Sequence, residues 1–215
     1  MNEVIEKVTA FITRERDGGT ELIVFKHPNA GIQIPAGTVE AGEELENAVK
    51  REAYEETGLQ TVEIEAYLGC IENELGEAER IVTRTTQVYI EPNLNAVPYK
   101  QQLTRGLTVD YNATHGDFTN ISEIEYDRFP NPTCIVYNIT GWVPNQNLSR
   151  QKRRHFFQLT TPEQTADAWE LKSDRGHIFR PYWTPLSPKP TIVPPQAKWL
   201  AHVYNQLSKS TENAR

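Results

Sequence analysis

The chain has 215 residues, 22 of them basic and 29 acidic, for a formal net charge of −7. That length can bury a sizeable core without disulfide or metal staples. The acidic balance argues against a general nucleic-acid or membrane-surface binder, and two cysteines, Cys70 and Cys134, are too few for a disulfide scaffold. The two thiols fit no zinc spacing and read as a buried pair in a reducing compartment. Residues 1–7 show no basic start followed by an apolar run, so no signal peptide is expected. No apolar stretch approaches the roughly 20 residues of a membrane helix. A soluble, cytoplasmic protein is expected.

Val4 to Thr13 is rich in β-branched residues and predicts a first strand. The turn signal Asp17-Gly18-Gly19 and the run Glu21–Lys26 make it one arm of a hairpin. Glu43 to Thr57 has no Gly or Pro and many helix formers, and Gly58 follows where a left-handed cap ends a helix. Thr61–Glu72 and Arg80–Glu91 read as two further strands joined through Gly76. The composition shifts after Glu91: residues 92–150 hold five prolines and eight of the fourteen asparagines, with a strand-like run at Cys134–Ile139. Further strands are expected at His155–Leu159 and Tyr182–Leu186. Pro194-Pro195 then leads into an amphipathic helix, Gln196–Leu207, with Trp199, Leu200, Val203 and Leu207 on one face. The fold class is therefore α/β. One domain is expected over residues 1–207, with 92–150 inserted in it, and 208–215 as a polar tail.

Charge concentrates between Gly37 and Leu59, where seven glutamates face only Lys50 and Arg51. On a helix turning about 100° per residue, with Leu45 at zero, Val49 lies near 40°, Ala48 near 300°, Glu52 near 340° and Glu56 near 20°. Glu55 sits at the edge, near 280° by the same count. Two carboxylates thus occupy the face that Leu45, Ala48 and Val49 would bury. An unpaired buried carboxylate must pair, bind metal or lose its charge. A local rule broken this way is the mark of a functional site. Clustered carboxylate oxygens without His or Cys suit a hard cation, Mg²⁺ or Mn²⁺.

Gly37, five residues, Glu43, seven residues, then Arg51-Glu52-Ala53-Tyr54-Glu55-Glu56-Thr57-Gly58-Leu59 resembles the Nudix box, the signature of the Nudix hydrolases. Every fixed position matches; Ala53 stands where a bulkier aliphatic is usual. A chance match is on the order of 10⁻⁷. The resemblance implies a mixed sheet sandwiched between helices (an α/β/α layering), here with a long insertion. It implies metal-dependent hydrolysis of the pyrophosphate linkage in a nucleoside diphosphate joined to another group, such as a nucleotide sugar or ADP-ribose. Glu52, Glu55 and Glu56 would bind the metal with the carbonyl of Gly37, and Arg51 would hold the glutamates in place through Glu43. The partner implied is the nucleotide substrate, with no membrane and no long nucleic acid.

Other residues read less specifically. Glu123, Glu125, Glu163 and Glu170 are candidates for a general base outside the box. Tyr99, Arg105, Tyr111, Phe118, Tyr126, Arg128 and Phe129 could stack on a base or grip phosphate, or form a small core of their own. Asp110, His115 and Asp117 allow a metal cluster but are explained as well by loop polarity. Residues 92–150, longer than ordinary connections, are expected to contribute to the substrate pocket or to a homodimer contact. The rival readings are a non-catalytic nucleotide-sensing or partner-binding module, which commonly lacks box glutamates that this chain keeps, and an isomerase using the same metal site.

Overall fold

In the computed structural model, which describes residues 3–16, 19–172 and 176–209, the chain opens on the expected hairpin. Strands β1 (Ile5–Arg16) and β2 (Gly19–His27) pair antiparallel from Thr13↔Leu22 to Arg16↔Gly19. Asp17 and Gly18 of the predicted turn lie outside the described residues. Two short strands, β3 (Gly31–Gln33) and β4 (Ala36–Thr38), lead to helix α1 (Leu45–Thr57). Strands β5 (Glu63–Glu74), β6 (Glu79–Val82), β7 (Thr86–Tyr89), β8 (Pro98–Leu103), β9 (Thr108–His115), β10 (Phe118–Tyr126) and β11 (Ile135–Pro144) follow. After a 3-10 turn at Asn145–Asn147 come β12 (Leu148–Ser149), β13 (Gln151–Thr160), β14 (Leu171–Lys172), β15 (Ile178–Pro185) and helix α2 (Pro194–Lys209). Ser208 and Lys209 of the predicted tail continue α2; residues 210–215 lie outside the described residues.

The contacts divide the chain into two compact units. One comprises the start of β1 with Ile71–Asp127 and Pro132–Arg154; the other comprises Val8–Cys70, Arg128–Asn131 and the chain from His155 onward.

The second unit holds the helices. Its strands belong to an eight-stranded sheet ordered β14-β15-β2-β1-β13-β5, with β3 on β2 and β4 on β1. Val8, Ala10, Ile12, Ile23, Phe157 and Leu159 pack with Ala48, Val49 and Ala53 of α1. The small Ala53 is fully buried there; a methyl is the volume that this contact takes. Phe156, one residue from Phe157 and so on the opposite face, meets His202 of α2 with ring centroids 5.7 Å apart. Leu200, Val203 and Leu207 of α2 are buried, as the helical period predicts, while Trp199 is only partly covered. The sheet is thus layered between α1 and α2, the α/β/α sandwich expected.

The first unit corrects the reading of residues 92–150 as a long loop. They form β8 to β12, which join β6 and β7 in a seven-stranded sheet ordered β12-β6-β9-β10-β11-β7-β8. Every neighbouring pair in it is antiparallel. Val82, Val88, Leu103, Val109, Ile121, Ile139 and Val143 make its core. The predicted strand Arg80–Glu91 breaks after Val82, because β6 pairs with β9 and β12 whereas β7 pairs with β11 and β8. The asparagines and prolines that suggested a loop sit at turns and on the face away from this core. Asn112, for example, is exposed and donates to Asn120 and to Ser122, each at 2.9 Å.

A second correction concerns the cysteines. Cys70 and Cys134 are both free and exposed, not a buried pair. No described helix is long and apolar enough to cross a membrane.

A carboxylate cluster on the first helix

Helix α1 begins where the sequence turns from Gly-rich to helix-forming, and it ends on Gly58, whose φ of 80° only glycine adopts without strain. The N–H of Gly58 donates to the carbonyl of Tyr54 at 2.7 Å, and the indole Nε1 of Trp169 donates to the carbonyl of Thr57, also at 2.7 Å. These bonds satisfy carbonyls that a helix end leaves open. The predicted start at Glu43 is two residues early: Glu43 and Glu44 precede the helix, and Glu44 is its N-cap residue, without a side-chain capping bond.

Arg51 organises the acidic residues. Its Nε and Nη2 donate to the two oxygens of Glu43, each at 2.9 Å, a bidentate pair. Nη1 donates to Glu52 at 2.8 Å and to Glu55 at 3.2 Å, and Nη2 also reaches the carbonyl of Thr38 at 3.0 Å. Glu43 in turn accepts the N–H of Glu40 at 2.9 Å. Glu56 accepts the N–H of Ala36 at 2.8 Å, which ties α1 to β4.

Burial separates the glutamates. Glu52 is 8% exposed, Glu55 and Glu56 are partly covered, and Glu40 and Glu46 are exposed. Gly37 lies directly behind Glu52: a Cβ built on Gly37 would overlap both oxygens and the carboxyl carbon. The same guanidinium acts oppositely on two carboxyls. Its hydrogen bonds hold Glu43 below the usual carboxylate range. For Glu52 burial outweighs Arg51 and pushes the carboxyl up. Arg51 itself is raised, first by the bonds to Glu43.

Three carboxylates on one guanidinium leave an excess of negative charge, and all the donors are hard oxygens. That chemistry suits a divalent cation such as Mg²⁺ or Mn²⁺. In the present arrangement the oxygens of Glu52 and Glu55 are turned to Arg51. Among the described residues no group of three or more His, Cys, Asp or Glu side chains is positioned to enclose a metal ion. That statement covers Asp110, His115 and Asp117 too.

The remaining candidates are dispersed. Glu163 accepts the N–H of Thr61 at 2.5 Å and Glu170 pairs with Arg180 at 2.8 Å, so both have structural partners. Glu123 and Glu125 lie on β10 in the other unit. They line a cavity of about 390 Å³ together with Asp110, Ser122 and Tyr126. Burial, then the neighbouring Glu125, pushes the carboxyl of Glu123 up. Among the aromatic and basic candidates, Phe118 is buried and Tyr99 packs against the core of the antiparallel sheet. Arg105 pairs with Glu3 at 2.6 Å, and Arg128 donates to the carbonyl of Asn131 at 3.0 Å. Tyr111 lies under the guanidinium of Arg80, 4.2 Å from the ring centroid. Tyr126 and Phe129 are exposed. The sequence reading missed the backbone groups of Ala36 and Thr38 and the cap from Trp169.

A mixed sheet between two helices, with an acidic helix entered through a glycine turn, defines a Nudix-type α/β/α domain. Residues 6–98 match the family model of the NUDIX domain, a span that runs from β1 through α1 to the first residue of β8. Over those residues, which are fewer than half of the 215, the chain is similar to the NUDIX domain. No curated protein matches the chain.

Proposed function

We propose that the chain is a metal-dependent pyrophosphohydrolase that cleaves the pyrophosphate linkage of a nucleoside diphosphate joined to another group. The observation that carries this reading is the gathering of Glu43, Glu52 and Glu55 on Arg51, with Glu52 buried against Gly37. This cluster holds more acid than base and keeps one carboxylate, Glu52, away from water. Glu52, Glu55 and Glu56, with the carbonyl of Gly37, would hold Mg²⁺ or Mn²⁺. When bound, such an ion neutralises pyrophosphate charge and acidifies water.

The chain's own residues supply position. Arg51 fixes the rotamers of Glu52 and Glu55 through one nitrogen, and Glu43 fixes Arg51 in a bidentate grip. Glu56, anchored by the N–H of Ala36, keeps its second oxygen at a fixed height on the helix. Such pre-set groups lower the reorganisation that a reaction requires. The test is a panel of nucleoside diphosphate derivatives with Mg²⁺ or Mn²⁺, products resolved by mass, in water enriched in heavy oxygen. The expected result is label on a phosphate product from the parent and none from Glu56→Gln. Label in a sugar or base, or turnover with neither ion, would reject the reading.

A further inference from the structure

Tyr67 of β5 is 52% exposed, yet its hydroxyl is turned away from water. The hydroxyl shares a hydrogen bond of 2.9 Å with Nδ1 of His155 on β13, and His155 is only 6% exposed. A surface tyrosine ordinarily buries its ring and leaves the hydroxyl wet. Here the polar end points inward and ring surface is left to solvent. The ring is also held from the side: its centroid lies 5.2 Å from that of Phe157 and 5.9 Å from that of His155. A single exposed apolar residue needs no explanation. This one has exchanged hydration of its hydroxyl for a fixed orientation of its ring.

The pair lies on the face of the larger sheet that α1 covers. Phe157 shares a cluster with Ala48, Val49 and Ala53 of α1, whereas Phe156 meets His202 of α2. Side chains alternate along a strand, so His155 points with Phe157. Tyr67 touches both and takes the same face. Tyr67, His155 and the carboxylates of α1 belong to one compact unit. Ala10 of β1 donates to the carbonyl of Pro35 at 2.9 Å, at the entrance to β4, where Gly37 backs Glu52. From there the strands follow as β4, β1, β13 and β5. With neighbouring strands about 4.8 Å apart, the three steps from Gly37 to Tyr67 span about 14 Å. An extended nucleoside diphosphate with its phosphates at the carboxylate cluster carries its base over a comparable distance.

We propose that Tyr67 is the platform on which the base of the nucleotide substrate stacks, with His155 as a positioning residue that holds the ring through its hydroxyl. The proposal rests on the hydrolytic reading for the reaction and names the base end of the same site. A fixed aromatic face offers π surface to any base and favours the larger purines by contact area.

The experiment is titration calorimetry of the full chain with Mg²⁺ and two probes that resist cleavage, α,β-methylene-ADP and methylenediphosphonate, the second of which lacks the nucleoside. Tyr67→Leu keeps an apolar side chain and removes the aromatic face. It should weaken α,β-methylene-ADP by about tenfold and leave methylenediphosphonate unchanged. Tyr67→Phe keeps the ring and loses only the bond to His155, so its loss should be about threefold. Failure of the parent to bind α,β-methylene-ADP overturns the platform, as does parent-like affinity in Tyr67→Leu. Equal loss of both probes in Tyr67→Leu overturns it too, since damage to the phosphate end or to the fold would then be the cause. A loss in Tyr67→Phe as large as in Tyr67→Leu assigns the effect to the hydroxyl and rejects stacking. Turnover separates the two readings. Base-dependent binding with no hydrolysis of any derivative rejects the hydrolase and leaves the platform; hydrolysis with an unchanged KM in Tyr67→Leu does the reverse.

Discussion

The carboxyl group of Glu52 occupies the space that a side chain on Gly37 would need. Gly37 has no left-handed backbone to explain it, since it is absent from the glycines with positive φ. Space alone requires glycine here. Gly37→Ala is expected to cost about 1–3 kcal/mol, as overpacking does. Adding Glu52→Ala should recover most of that loss, because the two residues share one volume. Thermal unfolding of the single and double variants measures the coupling; strictly additive losses would disprove it.

Glu52→Gln should stabilise the metal-free protein at neutral pH. A carboxyl pushed up on folding contributes stability below its unfolded pKa and loses it as pH rises through the folded value. At pH 7 the ionised form is therefore a net cost, which the amide removes. A gain of about 0.5–2 kcal/mol is expected, with activity lost. The gain should vanish below the ordinary carboxylate range. Glu46→Gln, on an exposed residue, should alter neither quantity. Denaturant melts at pH 7 and at acid pH decide this, and a Glu52→Gln protein that is less stable at both would reject it.

Arg51→Lys is not a conservative change here. One ammonium cannot reproduce the paired bonds to Glu43 while reaching Glu52, Glu55 and the carbonyl of Thr38. A loss of about 1–3 kcal/mol is expected for Arg51→Lys or Arg51→Ala, discounted for the partial exposure of the network. Glu43→Gln should cost less, and the double change Arg51→Ala with Glu43→Gln less than the two single losses together. Calorimetric melting of the four proteins tests it.

His27 sets an acid limit. Its Nδ1 accepts the N–H groups of Asn29 at 3.1 Å and Ala30 at 3.0 Å, which requires the unprotonated nitrogen. Burial, then the nearby His177, lowers its pKa from 6.5. The unfolded chain thus binds the proton more readily, and stability should fall as pH drops below about 6.5. His27→Asn keeps an acceptor without the titration. It should flatten the stability profile between about pH 6.5 and 5, and an unchanged slope would exclude His27 as the source.

The acidic helix was legible because its information is local. The period of α1 put Glu52 on the buried face before any contact was known, and Gly58 marked its end within the same short segment. The hairpin of β1 and β2 was legible for the same reason, since its arms are adjacent in the chain. Of residues 92–150 only the run Cys134–Ile139 was, and it falls at the start of β11. Leu148 pairs with Val82, and Trp142 with Tyr89. Short strands rich in asparagine carry no period strong enough to announce partners that far away.

The sequence by itself determined the resemblance to the Nudix box, the helix and the identity of the acidic residues, since each follows from residue types at fixed spacing along one turn or one loop. Tertiary structure decided the rest. It set Gly37 behind Glu52, turned Arg51 toward three carboxylates at once, and exposed Cys70 and Cys134. It also made a second sheet with its own core from a segment that composition alone marked as loop. Burial and strand pairing are properties of residues distant in the chain. Where the partners are far apart in the chain, they come into being only when the backbone closes on itself.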